Sequence, residues 1–403
     1  DAGAARARDD VKRVRTCCRG CGKMECGVWV TVQNGRAVKV EGDQSSFQSS
    51  GNCCGKSQSS IQAAYHPDRI YHPMKRTNPK GEDPGWQRIT WDEAMQTIGE
   101  KFQQIIDRYG GQSIFNMAGT SRQWVYGPYA FYKWLFDTPN AHVASEICKG
   151  PRRLMGWISS VDGAPWMALR DGPRVYVQWG TAPENSNYDD SCRNLVDKMA
   201  EADVHICIDP RLSGSGKEAD YWLNLKPGTD GALALGFIHV MLRDGLYDKD
   251  FVEKWTHGFD ELSGYVQEFT PERVEEITWV PAAKLEEAVR IICENAPATL
   301  VSSSAGACHA TNVGNFQRAV YSIIALTGDL DVAGGLAMGP GLPFDYSAST
   351  AAFRLEDMYA EKGLQDIRYD KDDFPVWAHY FEDDPDRAPA RAGGRRQDPR
   401  RRA

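Results

Sequence analysis

The sequence predicts an α/β protein: a small β-rich segment carrying clustered cysteines, followed by α/β regions built on a parallel sheet. Three observations carry that expectation. Four cysteines, Cys18, Cys21, Cys26 and Cys54, stand in the order C-x2-C-x4-C-x27-C. Valines alternate through "WVTVQNGRAVKVEGD" (29–43) around Asn34-Gly35, a dipeptide favoured in two-residue hairpin turns. From Arg174 onward, two short apolar runs are separated by a helical pattern, and strand, helix, strand at this spacing implies parallel pairing.

A tight cysteine cluster with one distant return is how a loop-rich segment folds around an iron–sulfur cluster, each thiolate ligating one iron. Zinc and disulfides are the competing readings. Zinc sites usually carry two short C-x-x-C pairs, whereas the second half here is the adjacent pair Cys53-Cys54. Cys17 and Cys53 each neighbour a proposed ligand, so a register that uses either stays open.

Thr90 and Glu93 form a capping-box pattern, and Ala94, Ile98, Phe102, Ile105 and Ile106 recur on one helical face until Tyr109-Gly110-Gly111 stops the helix. Those apolar residues are expected in the core. "RVYVQWG" then reads as a buried strand ending in a glycine loop, a helix is expected through 190–201, and "VHICIDPR" is the next strand, ending at Asp209. Ligands of parallel sheets bind outside the carboxyl ends of strands, where loops and helix N-termini present N–H groups to phosphates. This places "WGTAPENSN" (179–187) and "DPRLSGSG" (209–216) beside a dinucleotide-like cofactor. No G-x-G-x-x-G follows the first strand, which weakens a nicotinamide reading. A further strand is expected to end near Ser302, with Cys192, Cys207 and Cys293 as structural cysteines in regular elements.

At 403 residues and 41% hydrophobic content, the chain can bury two or three cores. Its formal charge of -8 argues against a nucleic-acid partner. No stretch reaches the roughly 18 apolar residues of a membrane span, so no direct span is expected.

Beside the cysteines, the runs "HPDRIYHPMKRTNPKGEDPGWQRITWDEA" (66–94), "IDPR" (208–211), "KPGTDGALALG" (226–236) and "ALTGDLDVAGG" (325–335) resemble the molybdopterin oxidoreductases of the dimethyl sulfoxide reductase family, over most of 16–336. The resemblance implies an iron–sulfur domain at 16–75, an α/β segment leading to the metal ligand at 76–150, and a Rossmann-like domain for molybdopterin guanine dinucleotide at 151–336. An incomplete region at 337–386 and a disordered Arg-rich tail at 387–403 would follow.

By the same resemblance, the cofactors are a 4Fe-4S cluster and molybdenum bis-(molybdopterin guanine dinucleotide). Gly180, Thr181 and Asn185 would line one pterin dinucleotide, Asp209 and Arg211 would hold a guanosine end, and Gly228 and Asp230 would contact the same nucleotide. A carboxylate suits guanine because it accepts from the ring N–H and the amino group together. Cys148, in "SEICKGPRRLMGW", is implied as the molybdenum ligand, a soft donor beside the pterin dithiolenes. Lys56 resembles the residue that lies between cluster and pterin. His309 falls in a segment similar to the pterin-facing loop and would titrate in the useful range, though a structural histidine is the competing reading.

Two subgroups are most similar, the acetylene hydratases and the catechol dehydroxylases. Hydratases carry aspartate directly after the second cluster cysteine; this chain has Gly22, with Glu25 three positions away, so reduction is preferred. The expected activity is dehydroxylation of a small oxygenated or aromatic substrate such as a catechol, with an electron-transfer subunit or carrier as partner. Arg122, Trp124 and Tyr126 are candidate substrate-lining residues. The alternatives are hydration, an inactive shortened chain and a cluster-only electron-transfer module.

The chain starts at Asp1 without an apolar leader and closes on an Arg-rich run, so either a removed leader or a fragment is expected at the start and a shortened C-terminal part at the end. Many relatives are exported folded through a twin-arginine leader, which favours an extracytoplasmic enzyme, with the cytoplasm as the alternative.

Overall fold

The computed structural model describes residues 10–18, 20, 26–46, 49–118, 135–138, 140–143, 150–159, 166–167, 172–182, 192–302, 306 and 308–337. They divide into two compact units, one drawn from 1–58 and 145–340 and the other containing 59–144.

The N-terminal sheet is antiparallel, formed by β1 (Val11–Cys18), β2 (Cys26–Gln33) and β3 (Arg36–Gly42) in that order. Asn34 and Gly35 join β2 to β3 with φ of 50° and 77°, the positive pair that a hairpin of this twist requires. Asp43, just beyond β3, accepts from Arg15 Nε at 2.6 Å and from Ser45 Oγ at 2.8 Å. These donors, Ser45 first, hold its carboxyl below the usual carboxylate range. The sheet end is thereby clipped to β1. Short helices α1 (Gly55–Gln58) and α2 (Ser60–Ala64) follow.

The second unit contains the antiparallel pair β4 (Met74–Lys75) and β5 (Gln87–Arg88), the long helix α3 (Trp91–Tyr109), and the parallel pair β6 (Asn116–Ala118) and β7 (Ala141–Val143). Thr90 caps α3 by accepting from Glu93 N at 3.1 Å. Only half of the expected box forms, because the Glu93 carboxylate pairs with Lys75 Nζ at 3.2 Å. The expected core face of α3 also needs correction. Ala94 is buried, but Ile98 is 48% exposed, beside exposed Trp91 and Met95.

Returning to the first unit, the chain runs through α4 (Gly150–Ser159), β8 (Trp166–Met167), β9 (Val175–Trp179), α5 (Cys192–Glu201), β10 (Val204–Ile208), α6 (Gly214–Glu218) and β11 (Tyr221–Leu223). Helices α7 (Asp230–Arg243), α8 (Lys249–Trp255), α9 (Phe259–Tyr265), α10 (Pro271–Thr278) and α11 (Ala282–Glu294) follow, then β12 (Ala298–Ser302), α12 (Val313–Thr327) and β13 (Leu336–Ala337). The central sheet is four-stranded and parallel, in the order β11-β10-β9-β12.

All five β9 side chains are buried, the continuous pattern of a parallel strand covered on both faces. Val175, Val177 and Trp179 form one core with Ile206 and Ile208, Leu233, Phe237 and Ile238 of α7, and Phe316 and Val320 of α12. The other parity is polar: Gln178 Oε1 meets His205 Nε2 at 3.1 Å, and the Gln178 amide donates to the Thr181 carbonyl. Gln178 and His205 thereby satisfy each other, and Gln178 fixes the loop that leaves β9. Cys207 is buried in β10, and Cys293 lies in α11, its thiol pushed up to about 12 chiefly by burial. No described helix is long and apolar enough to cross a membrane.

Candidate functional site

Two groups of predicted residues take shape, both within the first unit. In the cysteine group, β1 ends on Cys18 and β2 begins on Cys26, and the antiparallel register sets these two directly opposite each other. Cys26 is buried and Cys18 half-buried, while Cys17 is exposed, as strand alternation demands of neighbours on opposite faces. Gly20 N donates to Cys18 Sγ at 3.4 Å.

The distant cysteine is carried in by a close approach of backbones. A Cβ on Gly42, opposite Val28 in the register, would fall 1.9 Å from the Gly51 carbonyl oxygen, so only glycine lets the 49–54 loop reach this sheet end. Cys53 donates from its thiol to Ser57 Oγ at 3.5 Å, and the Cys54 carbonyl accepts from Gln58 N at 3.0 Å at the start of α1. Lys56 is exposed on that helix, and its carbonyl lies beside Gly20. Cys21 lies outside the described residues. Among the described residues no three His, Cys, Asp or Glu side chains are grouped as a metal would need. The donor set still fits a cluster: two cysteines stand opposite each other across one sheet end, and a backbone amide already donates to one sulfur.

The second group lies at the carboxyl ends of the parallel strands. Gly180 leaves β9 with φ of 62°, and its N–H donates to the Ile208 carbonyl at 2.8 Å. Gly306 comes so near that a Cβ there would meet the Gly180 carbonyl oxygen at 2.1 Å. That glycine, which sequence reasoning missed, brings the loop after β12 against the loop after β9. Thr181 is buried. Asp209 follows β10, its Oδ1 accepting from Arg211 N at 2.7 Å, while its carbonyl accepts from Trp222 Nε1 at 2.9 Å. The Arg211 side chain is exposed.

Gly228 turns with φ of 82° into α7, whose first residue is Asp230. Thr229 does not cap that helix through its side chain; its hydroxyl donates to the Lys226 carbonyl at 2.6 Å. Asp230 Oδ1 instead accepts from Trp179 Nε1 at 2.9 Å. Burial pushes the Asp230 carboxyl upward, the Trp179 N–H and the backbone amide pull it back, and the nearby Asp209 charge raises it again. Two carboxylates, a tight glycine loop and a helix N-terminus thus converge at one strand edge, a set suited to a ribose, base and diphosphate.

His309 is exposed in the turn before α12, next to buried Cys308, whose sulfur accepts from Gln317 Nε2 at 3.4 Å. Asn185 and Cys148 lie outside the described residues, as do Arg122, Trp124 and Tyr126. α4 starts two residues after Cys148, and the Arg152 carbonyl in α4 accepts from Tyr321 Oη of α12 at 3.1 Å.

Comparisons with known proteins bear on both groups. The chain matches a molybdopterin oxidoreductase model over 69–144 and 177–356 and a molybdopterin oxidoreductase Fe4S4 domain over 11–66. It is 59% identical over 249 residues to a dopamine dehydroxylase of Eggerthella lenta, covering 62% of this chain and 24% of that protein. An acetylene hydratase of Syntrophotalea acetylenica is 32% identical over 248 residues, covering 61% of this chain and 34% of that protein. The solved acetylene hydratase from Pelobacter acetylenicus superposes with a TM-score of 0.75 at 26% identity, covering 92% of this chain and 51% of that one. The chain therefore spans about half or less of the length of these relatives. Its matched segments are domains for a molybdopterin cofactor and a 4Fe-4S cluster, joined to the fold described above, and the chain belongs to the molybdopterin oxidoreductases of the dimethyl sulfoxide reductase family.

Proposed function

We propose that this chain is the cofactor-binding part of a molybdenum-dependent reductase that removes a hydroxyl from a catechol-type substrate. The observation that carries the reading is the 59% identity to a dopamine dehydroxylase, across a segment far more similar than the 32% shared with an acetylene hydratase. Gly22 in place of an aspartate after the second cluster cysteine supports reduction over hydration. Overall, the aromatic C–O bond would be replaced by C–H, with two electrons and two protons consumed and water released.

In this reading Cys18, Cys21, Cys26 and Cys54 hold the 4Fe-4S cluster, and Cys148 supplies a thiolate to molybdenum. The bound pterin–molybdenum centre supplies two electrons together. Gly180, Thr181 and Asn185 line a pterin dinucleotide, and Asp209, Arg211, Gly228 and Asp230 hold its nucleotide ends. Lys56, exposed beside the cysteine group, keeps a positive charge near the path of electrons. His309, exposed in the turn ahead of α12, is assigned proton delivery to the leaving oxygen. Electrons come from a separate subunit or carrier, and the protein acts outside the cytoplasm after folded export. The domain boundaries of the sequence reading at 16–75, 76–150 and 151–336 form part of this proposal.

Metal content after anaerobic purification from a host that makes the pterin tests the reading. About four iron atoms and one molybdenum per chain are expected, with turnover on dopamine or another catechol. Iron without molybdenum identifies a cluster-only module and overturns it. Cys148→Ala should abolish turnover while leaving the cluster's absorption spectrum intact.

A further inference from the structure

We propose that Trp179 is a positioning residue for nucleotide recognition: its indole N–H holds the Asp230 carboxylate at the strand edge, ready to accept from the base of the pterin dinucleotide. The inference rests on the assignment of that nucleotide to this site.

Trp179 is the last residue of β9 and is wholly buried. Its ring packs on Phe237 with centroids 5.7 Å apart and on Phe316 at 5.2 Å, so the indole has little freedom to turn. An indole offers one donor and no acceptor, and when buried it needs a partner. Here that partner is the Asp230 Oδ1, at 2.9 Å.

A neutral acceptor would satisfy the indole more cheaply, since placing a carboxylate in a partly buried position is costly. Two features oppose that cost, the Trp179 N–H itself and the positive N-terminal end of α7, on which Asp230 is the first residue. The nearby charge of Asp209, from the loop after β10, adds to the cost. Asn312, the residue before α12, approaches the neighbouring Gly231 with a neutral amide. An ionised carboxylate has about four acceptor positions, of which the indole and the backbone amide occupy two. The rest suit a base that presents two N–H groups side by side.

GDP serves as the probe, titrated calorimetrically between pH 4 and 8 into the chain purified from a host that lacks the pterin. Wild type should bind GDP with an acid limb set by Asp230, and Asp230→Asn should bind far more weakly. Trp179→Phe keeps the packed ring and loses only the donor. It should bind GDP about tenfold more weakly at pH 7, with the acid limb moved to higher pH, because the donor that lowers the Asp230 carboxyl is gone. Unchanged affinity in Trp179→Phe overturns the proposal, and so does weaker binding with an unmoved acid limb, which is the mark of a merely structural tryptophan. If wild type does not bind GDP, or Asp230→Asn binds as well as wild type, the nucleotide assignment itself fails.

A second readout does not depend on Trp179→Phe folding. Among the twelve tryptophans, one indole N–H resonance should titrate with the Asp230 carboxyl and cease to do so in Asp230→Asn. No such resonance would refute the contact.

Discussion

Helices α3 and α7 both carry apolar residues at helical spacing, α7 more densely, and they meet different fates. α7 buries Leu233, Ala234, Phe237, Ile238, Val240 and Met241 together with His239, whose Nδ1 meets the Val266 carbonyl at 3.0 Å. Nineteen-residue α3 has only Ala94 buried, while Trp91, Met95 and Ile98 are exposed one turn apart. Helical period states that a face exists; what covers it comes from elsewhere in the chain. The fixed helix is the one that presents Asp230 at the strand edge.

The largest test of that contrast is Phe237→Ala, which leaves a cavity beneath Trp179 and should cost about 3–5 kcal/mol in denaturant unfolding. A loss below about 1 kcal/mol would mean that the α7 core is loosely packed. Next comes Asp329, which follows the Gly328 cap of α12. Burial first, then the Asp248 charge, push its carboxyl up from 3.8 to about 6. Between those values the folded state keeps a proton that the unfolded state has lost, so stability falls as pH rises through that window. Asp329→Asn should remove the slope, making the variant more stable than wild type at pH 7 by up to about 3 kcal/mol, with the difference vanishing near pH 3. Parallel stability curves would show that Asp329 ionises normally.

Smaller effects are expected on α3. Thr90→Ala removes the donor–acceptor cap at Glu93 N and should cost about 1 kcal/mol in thermal or chemical unfolding. Ile98→Ala should change stability by no more than about 0.5 kcal/mol. A loss of several kcal/mol at Ile98 would erase the distinction between the two helices.

Much of the first unit was legible locally. The Asn34-Gly35 turn, the strands at 175–179 and 204–208, and the helix from 192 follow from short-range pattern and turn chemistry. The predicted nucleotide residues Gly180, Asp209 and Asp230 come to the same strand edge because parallel strands align their carboxyl ends. Less legible were the features that depend on partners far along the chain. Thr90 caps α3 as its sequence suggested, yet Glu93 turns to Lys75 because a lysine from another segment competes for its carboxylate. Trp179 read as an ordinary strand end, since nothing local ties it to a carboxylate 51 residues away.

The sequence by itself determined the cysteine spacing, the Asn34-Gly35 hairpin between β2 and β3, and the parallel strands whose ends gather the candidate nucleotide residues. Each depends on residues close in the chain, through turn dihedrals, side-chain period and the handedness of strand connections. Only the tertiary structure decided that Gly42 admits the Gly51 backbone, that Gly306 meets Gly180, that Trp179 holds Asp230, and that α7 rather than α3 is covered. Those are contacts between distant segments. Their distances are set by how whole elements pack, which no local pattern encodes.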